Sequence, residues 1–428
     1  MTYTTLKGGL YLNSNLTSKQ RAFRSVIGAF LLTTGSGMAG TLSLFYLPIM
    51  GEYGYTQASL AFYVSLMGLG SIITHPVIGK LLAKFSDKIR LFGFLNGAFA
   101  LITYLWLSQC RQLYQFYIGG AMLSVLVPIV SGVYGSSVVT HWFAKKRSVA
   151  LALVMIGISA GTVMYSQVCR FVIDTLSWRA GYVCAGIMMA LISSIGALLI
   201  SAPPAHYGMQ PYGWEEQNKE TVVNGMTLRE ASRTPCFWLL LVAAFFASIY
   251  VMGLQQSIVP MFQVDYHFTA ALAAVLMSVF SVACAVAKPI MGVVYEKRGA
   301  GVFTILLCIL LCVSLTLLIL AKSVAAGAIG MVLLGAGNLF TTVLLSSFTA
   351  DAFGNREYSA ILGNMNIATA IGVSIAPILI GKSFDLTGSY HVAYGIFIAF
   401  ALISTVLTLL SNRSRKKQKE ASAILQDN

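Results

Sequence analysis

HPVIGKLLAKFS (75–86) and KPIMGVVYEKRG (288–299) are two copies of one segment, 213 residues apart. At the same offset EYGYT (52–56) answers DYHFT (265–269), and Pro76 falls on Pro289, Gly79 on Gly292, Lys84 on Lys297 and Ser86 on Gly299. An offset of 213 halves a chain of 428 residues. A duplicated bundle of spans places a substrate site at the interface of the repeats and lets the two halves rock around it.

Each copy lies at the end of a long apolar run. The composition explains why such runs are tolerated: 57% of the residues are apolar and only 10% charged, too little charge to cover a water-facing surface of this size but ample where hydrocarbon is the solvent. Twelve runs are long enough to cross about 30 Å of hydrocarbon as helices. They fall near 24–50, 57–79, 91–110, 113–140, 149–171, 179–202, 236–262, 270–294, 301–321, 325–349, 359–380 and 390–411. The runs are too long and too uniformly apolar for barrel strands, so helices are the expected spanning element.

The net charge of +14 comes in short bursts between the runs rather than on one polar domain, which argues against nucleic acid and for membrane orientation. With the N-terminus inside, cytoplasmic segments hold 22 of the 28 Lys and Arg residues and outer segments or helix ends hold 5, with Lys288 inside a span. That bias predicts a multi-pass cell-membrane protein with both termini cytoplasmic. No cleavable leader is expected, because the first run is long enough to span.

The expected organisation is a cytoplasmic tail (1–23), a six-helix half (24–202), a polar linker (203–234), a second six-helix half (235–411) and a cytoplasmic tail (412–428). The linker carries PPAHYGMQPYGWEEQNKE, whose Glu215 and Glu216 read as a solvated loop face. The seven cysteines form no CxxC or Cys/His cluster and read as small buried side chains, not as disulfides or metal ligands.

GKLLAKFSDKIR (79–90) and GVVYEKRG (292–299) resemble the paired loop motifs of the major facilitator superfamily. In the first copy Ala83 stands where that family usually has aspartate, so the resemblance places the gating acid in the second half, at Glu296. The gating motif then comprises Gly79, Lys84, Gly292, Glu296, Lys297 and Gly299. HWFAKKRSVALA (141–152), MTLREASRTPCFWLLL (226–241), DAFGNREYSAILG (351–363) and FDLTGSY (384–390) resemble a narrower branch, the monocarboxylate and oxalate–formate antiporter-like carriers. The resemblance implies an all-α membrane protein, twelve helices in two six-helix halves, working as a monomer on a small organic anion with a proton or counter-anion. The fold hosts many substrates, so function rests on the site.

Lys288 is the charge inside the predicted bilayer, near the inner third of helix 8. A lysine there costs about 2.5–3.5 kcal/mol on insertion scales. It serves either as a substrate-binding cation or as a side chain snorkelling to the interface. The resemblance favours the first, since these carriers hold a cation, usually arginine, immediately before such a proline; lysine supplies a point charge in place of a bidentate fork. His75 is its repeat-related partner, and reads as a proton-coupling group or as a hydrogen-bonded structural histidine.

Gln256, with its neighbour Gln255, and Asn338, Thr342 and Asn366 complete the candidate substrate set, each with an interhelical hydrogen bond as the competing reading. Gly35, Gly37, Gly40, Gly157 and Gly161 read mainly as close helix packing. No phosphate-binding loop, metal spacing or nucleophile–base pair occurs in the sequence, so neither an enzyme nor a cofactor is expected. The leading expectation is secondary active transport of a small organic anion, a monocarboxylate first, by proton symport or anion exchange. An exporter of amphipathic compounds is the alternative, and a non-transporting membrane sensor a distant third.

Overall fold

The computed structural model describes residues 17–130, 133–143, 147–213, 225–320, 323–354 and 356–426. The described residues form helices joined by short turns, with two isolated β-bridges and no strand. Glu215, Glu216, Lys145 and Lys322 lie outside the described residues.

Eleven helical stretches are long and apolar enough to span. One of them, Ala270–Leu320, has 51 residues. Straight, it would run about 76 Å, more than twice the hydrocarbon thickness. It folds back at Gly299, where φ is 74° and ψ is 170°, backbone angles that essentially only glycine adopts. The crossings therefore number twelve: α1 (Ser18–Tyr53), α2 (Gln57–Lys84), α3 (Ile89–Gln109), α4 (Leu113–Val130 and Val133–Trp142), α5 (Arg147–Thr175), α6 (Trp178–Leu199), α7 (Pro235–Val264), α8 (270–298), α9 (300–320), α10 (Val324–Phe353), α11 (Tyr358–Thr387) and α12 (His391–Gln426). The first copy of the repeat has Ser86 where the second has Gly299, and it turns differently, through the short 3₁₀ segment Ser86–Lys88.

An even number of crossings puts the start of α1, the central linker and the end of α12 on one face, here the terminal face; the opposite one is the loop face. Side chains such as Ile102, Leu191 and Ile309 are more than half exposed on the outside of the bundle, where lipid covers them.

Three elements differ from the apolar-run boundaries. α1 is interrupted: its first helix ends at Gly35, and a 3₁₀ turn, Leu42–Phe45, precedes the last piece. α10 breaks after Gly337 and passes through a π turn, Phe340–Leu344. α12 continues as one helix to Gln426, through most of the expected tail.

The small residues of α1 and α5 are packing residues. A Cβ on Gly37 would stand 2.1 Å from the Thr162 nitrogen, and one on Gly161 would stand 1.9 Å from the Thr34 oxygen. The two backbones touch, which only glycine permits.

Both described ends of the linker are docked. Tyr212 N–H donates to Trp142 O at 2.8 Å, and Tyr212 and Phe23 pack edge to face. Met226 N–H donates to Phe353 O at 2.7 Å. Thr227 and Glu230 then form a capping box that starts the short helix Leu228–Ser232. The Thr227 backbone N–H, donating to the Glu230 carboxylate, holds that group below its usual range.

Candidate substrate site

The helices fix the depth of each candidate side chain. His75 and Lys288 lie about 27 Å from the loop-face ends of α2 and α8, at 1.5 Å per residue. On the same scale Thr342 is about 27 Å down α10, Asn338 about 21 Å, and Asn366 about 31 Å down α11. Gln256 is only about 12 Å from the loop-face end of α7. Five of the six candidates thus share a band about 10 Å deep, and Gln256 stands above it.

α8 and α10 run side by side in the same direction through this band. A Cβ on Gly335 would meet Cys284 N and Phe280 O at 2.9 Å, so these two helices touch there. One turn further on come Lys288, four residues past Cys284, and Asn338, three past Gly335; residues so spaced share a helix face. At that turn α10 loses its α-helical pattern, and the Oδ1 of Asn338 is buried with no hydrogen-bond partner among the described residues. π segments of this kind occur frequently at functional sites.

Lys288 is partly buried, and among the described residues no carboxylate or acceptor engages its ammonium group. His75 is likewise partly buried, and its Nδ1 donates to Ser71 O at 2.8 Å, leaving the lone pair of the neutral ring on Nε2. Thr342 and Asn366 are exposed.

Gln256 is 1% exposed, and its amide is engaged on both sides. Tyr46 OH donates to its Oε1 at 3.1 Å, and its Nε2 donates to Ala39 O at 2.9 Å. In this conformation it bridges α1 and α7. Its neighbour Gln255 lies over Gly40, where a Cβ would stand 2.3 Å from the amide nitrogen.

Further hydrogen bonds between the halves gather towards the loop face. Gln167 Nε2 donates to Ala274 O at 3.0 Å and to Ser278 Oγ at 2.8 Å. Tyr390 OH donates to Gln57 Oε1. Asp385 Oδ1 accepts from Gln57 N–H at 3.0 Å, and Oδ2 accepts from Ala58 N–H at 3.1 Å. The polar band around Lys288 lies on the terminal-face side of these contacts.

The gating-motif side chains Lys84, Glu296 and Lys297 are exposed, and Gly79 and Gly292 have open space around them. Next to the second motif the engaged acid is Asp351. It accepts from Tyr295 OH at 2.8 Å and lies 3.7 Å from Arg415 Nη1. Sequence reading singled out neither Tyr295 nor Arg415, and it missed the Gln57–Asp385 contact. FDLTGSY was the available signal for that contact, since it carries both Asp385 and Tyr390.

A family model described as Major Facilitator Superfamily matches residues 26–377 and 250–426. Monocarboxylate transporter 4 of Rattus norvegicus is 23% identical over 399 residues, covering 90% of this chain and 82% of the rat protein. The uncharacterized MFS-type transporter YhjX of Escherichia coli is 23% identical over 278 residues, covering 64% of this chain and 66% of that one. Among solved structures, a bacterial homologue of the human lysosomal transporter Spinster superposes with a TM-score of 0.71 at 15% identity, covering 94% of this chain and 99% of its own. The nucleoside transporter NupG gives 0.70 at 12% identity, covering 91% and 98%.

Proposed function

The chain belongs to the Major Facilitator Superfamily, and from that premise we propose that it is a secondary active transporter of a small organic anion, in the first place a monocarboxylate. Lys288 carries the reading. It stands 18 residues into its span, in a polar band, with no protein carboxylate to neutralise it among the described residues. A cation held there at a cost of a few kcal/mol is matched by an anion that arrives and leaves.

In this reading the substrate carboxylate pairs with the Lys288 ammonium. Asn338 and Thr342 bind from α10, Asn366 from α11, and Gln256 from α7 in the conformation that frees its amide. His75 carries the coupled proton, or exchange with a second anion replaces it. The terminal face is cytoplasmic, as the loop charges indicate, and the halves span 24–202 and 235–411. The monocarboxylate transporters among its relatives support the substrate class at low identity.

The deciding experiment is uptake of labelled mono- and dicarboxylates into proteoliposomes, with and without internal anion and with an imposed proton gradient. Saturable monocarboxylate uptake is expected. Uptake no faster than in empty liposomes, together with extrusion of an uncharged amphipathic dye, would replace this reading with an exporter.

A further inference from the structure

The first N–H groups of a helix lack acceptors within the helix and carry its positive dipole end. In α2 they are served by two elements. Thr56 Oγ1 accepts from Ser59 N–H at 3.3 Å, and the N–H groups of Gln57 and Ala58 both go to the carboxylate of Asp385, on α11 in the other half. The two helices touch beside this contact: a Cβ on Gly381 would stand 2.3 Å from the Ala58 Cα. Tyr390 adds a second tie, its OH donating to Gln57 Oε1 while its N–H donates to Asp265 Oδ2 at 2.9 Å.

The other seam, between α5 and α8, is built differently. Asp174 occupies the corresponding end of α5, but it pairs with Arg170 one turn back on its own helix. The start of α8 is capped by its own Thr269, which accepts from Leu272 N–H at 3.3 Å. What crosses this seam among the described residues is uncharged, the Gln167 amide and the hydroxyls of Ser166 and Ser278.

We propose that Asp385 is the catch of a one-sided latch that holds the loop face shut, a carboxylate seated on the N-terminus of α2 across the α2–α11 seam, with no charged counterpart across the α5–α8 seam. Opening the loop face withdraws the carboxylate and returns two backbone donors to water. The latch therefore favours the conformation described here and sets how often the loop face opens. The inference rests on the two-state transport reading but not on which anion is carried.

The test uses the full chain in nanodiscs, its seven cysteines replaced, with spin labels at Gln112→Cys and Ala325→Cys, one on each half near the loop face. Asp385→Ala should raise the ratio of long to short label distances about tenfold, the size expected for losing a charged cap. Tyr390→Phe, a change that spares the fold, should raise it by a smaller factor. Asp174→Asn should leave it unchanged. Unaltered distances in both Asp385→Ala and Tyr390→Phe, or an equal shift in Asp174→Asn, would overturn the latch. Uptake is measured separately, so a carrier without a latch and a latch without carboxylate transport give different results.

Discussion

His75 and Lys288 stand at the same depth, each 18 residues beyond the first residue of its helix, Gln57 and Ala270. Each precedes a proline, and the two helices are repeat-related, so the duplication has placed one titratable and one cationic side chain at matching points of the two halves. In this reading a symmetric scaffold carries an asymmetric site, with the anion's charge partner in one half and a proton site in the other.

The first prediction concerns that charge partner. A carboxylate stripped of water needs a cation, so Lys288→Gln should lower uptake to the background of empty liposomes while the protein still inserts. Lys288→Arg keeps the charge and should retain part of the rate. Wild-type rates in Lys288→Gln would mean that the lysine only reaches to the interface.

The second concerns coupling. An ordinary histidine gains its proton as the pH falls through about 6.5, so a His75-coupled symporter should speed up from about pH 8 to about pH 5. His75→Gln cannot take a proton and should flatten that rise. An unchanged profile would move coupling to exchange.

The twelve crossings were legible in the sequence because a span must be long and apolar, and hydropathy reports both properties directly. The breaks in α1 and α10 were not legible. Leu339 and Phe340 are as apolar as a helix interior, and a change of hydrogen-bond pattern leaves hydropathy unaltered. Contacts across the halves were equally hidden. Gln57 and Asp385 are 328 residues apart, and nothing local in either segment names the other. For the site, the repeat pointed to the depth of His75 and Lys288. It carried no information on Gln256, whose amide role depends on which conformation the halves adopt.

A packing prediction follows from α1 and α5. Gly37→Ala places a methyl group inside the backbone of α5, and overpacking of that kind typically costs about 1–3 kcal/mol. Gly363 and Gly395 have nothing within 4 Å of a would-be Cβ, so alanine there should be neutral or stabilising by up to about 1 kcal/mol. Thermal unfolding in detergent should separate the two classes. A Tm for Gly37→Ala at or above that of Gly363→Ala would contradict the contact.

Orientation can be read chemically. Single reporter cysteines beside Glu52 and Asp265 should react with a membrane-impermeant maleimide added to intact cells, and one at Lys416 should react only after permeabilisation. Labelling of Lys416→Cys from outside would invert the proposed topology and the direction of the charge bias.

The last prediction concerns substrate charge. An anion left partly unneutralised in a cavity of low dielectric costs several kcal/mol, so the number of fixed cations selects the number of charges the substrate carries. α11 passes the band through GNMNIATAIG (363–372), which has no charged residue, and Asn366 is exposed about 31 Å from the loop-face end of that helix, within a turn of the depth of Lys288. With Lys288 as the permanent cation a monoanion is balanced and a dianion is not. Lactate- or pyruvate-like monoanions should therefore be carried in preference to oxalate or succinate at neutral pH. Asn366→Lys adds the missing charge at the right depth and should shift preference towards dianions, read as the ratio of oxalate to lactate uptake. Protonated His75 supplies a second charge only in acid, so the comparison belongs at about pH 7.5, where an ordinary histidine is mostly neutral. If the unmodified protein carries oxalate faster than any monocarboxylate at that pH, a second cation must face the site and the single-charge account fails.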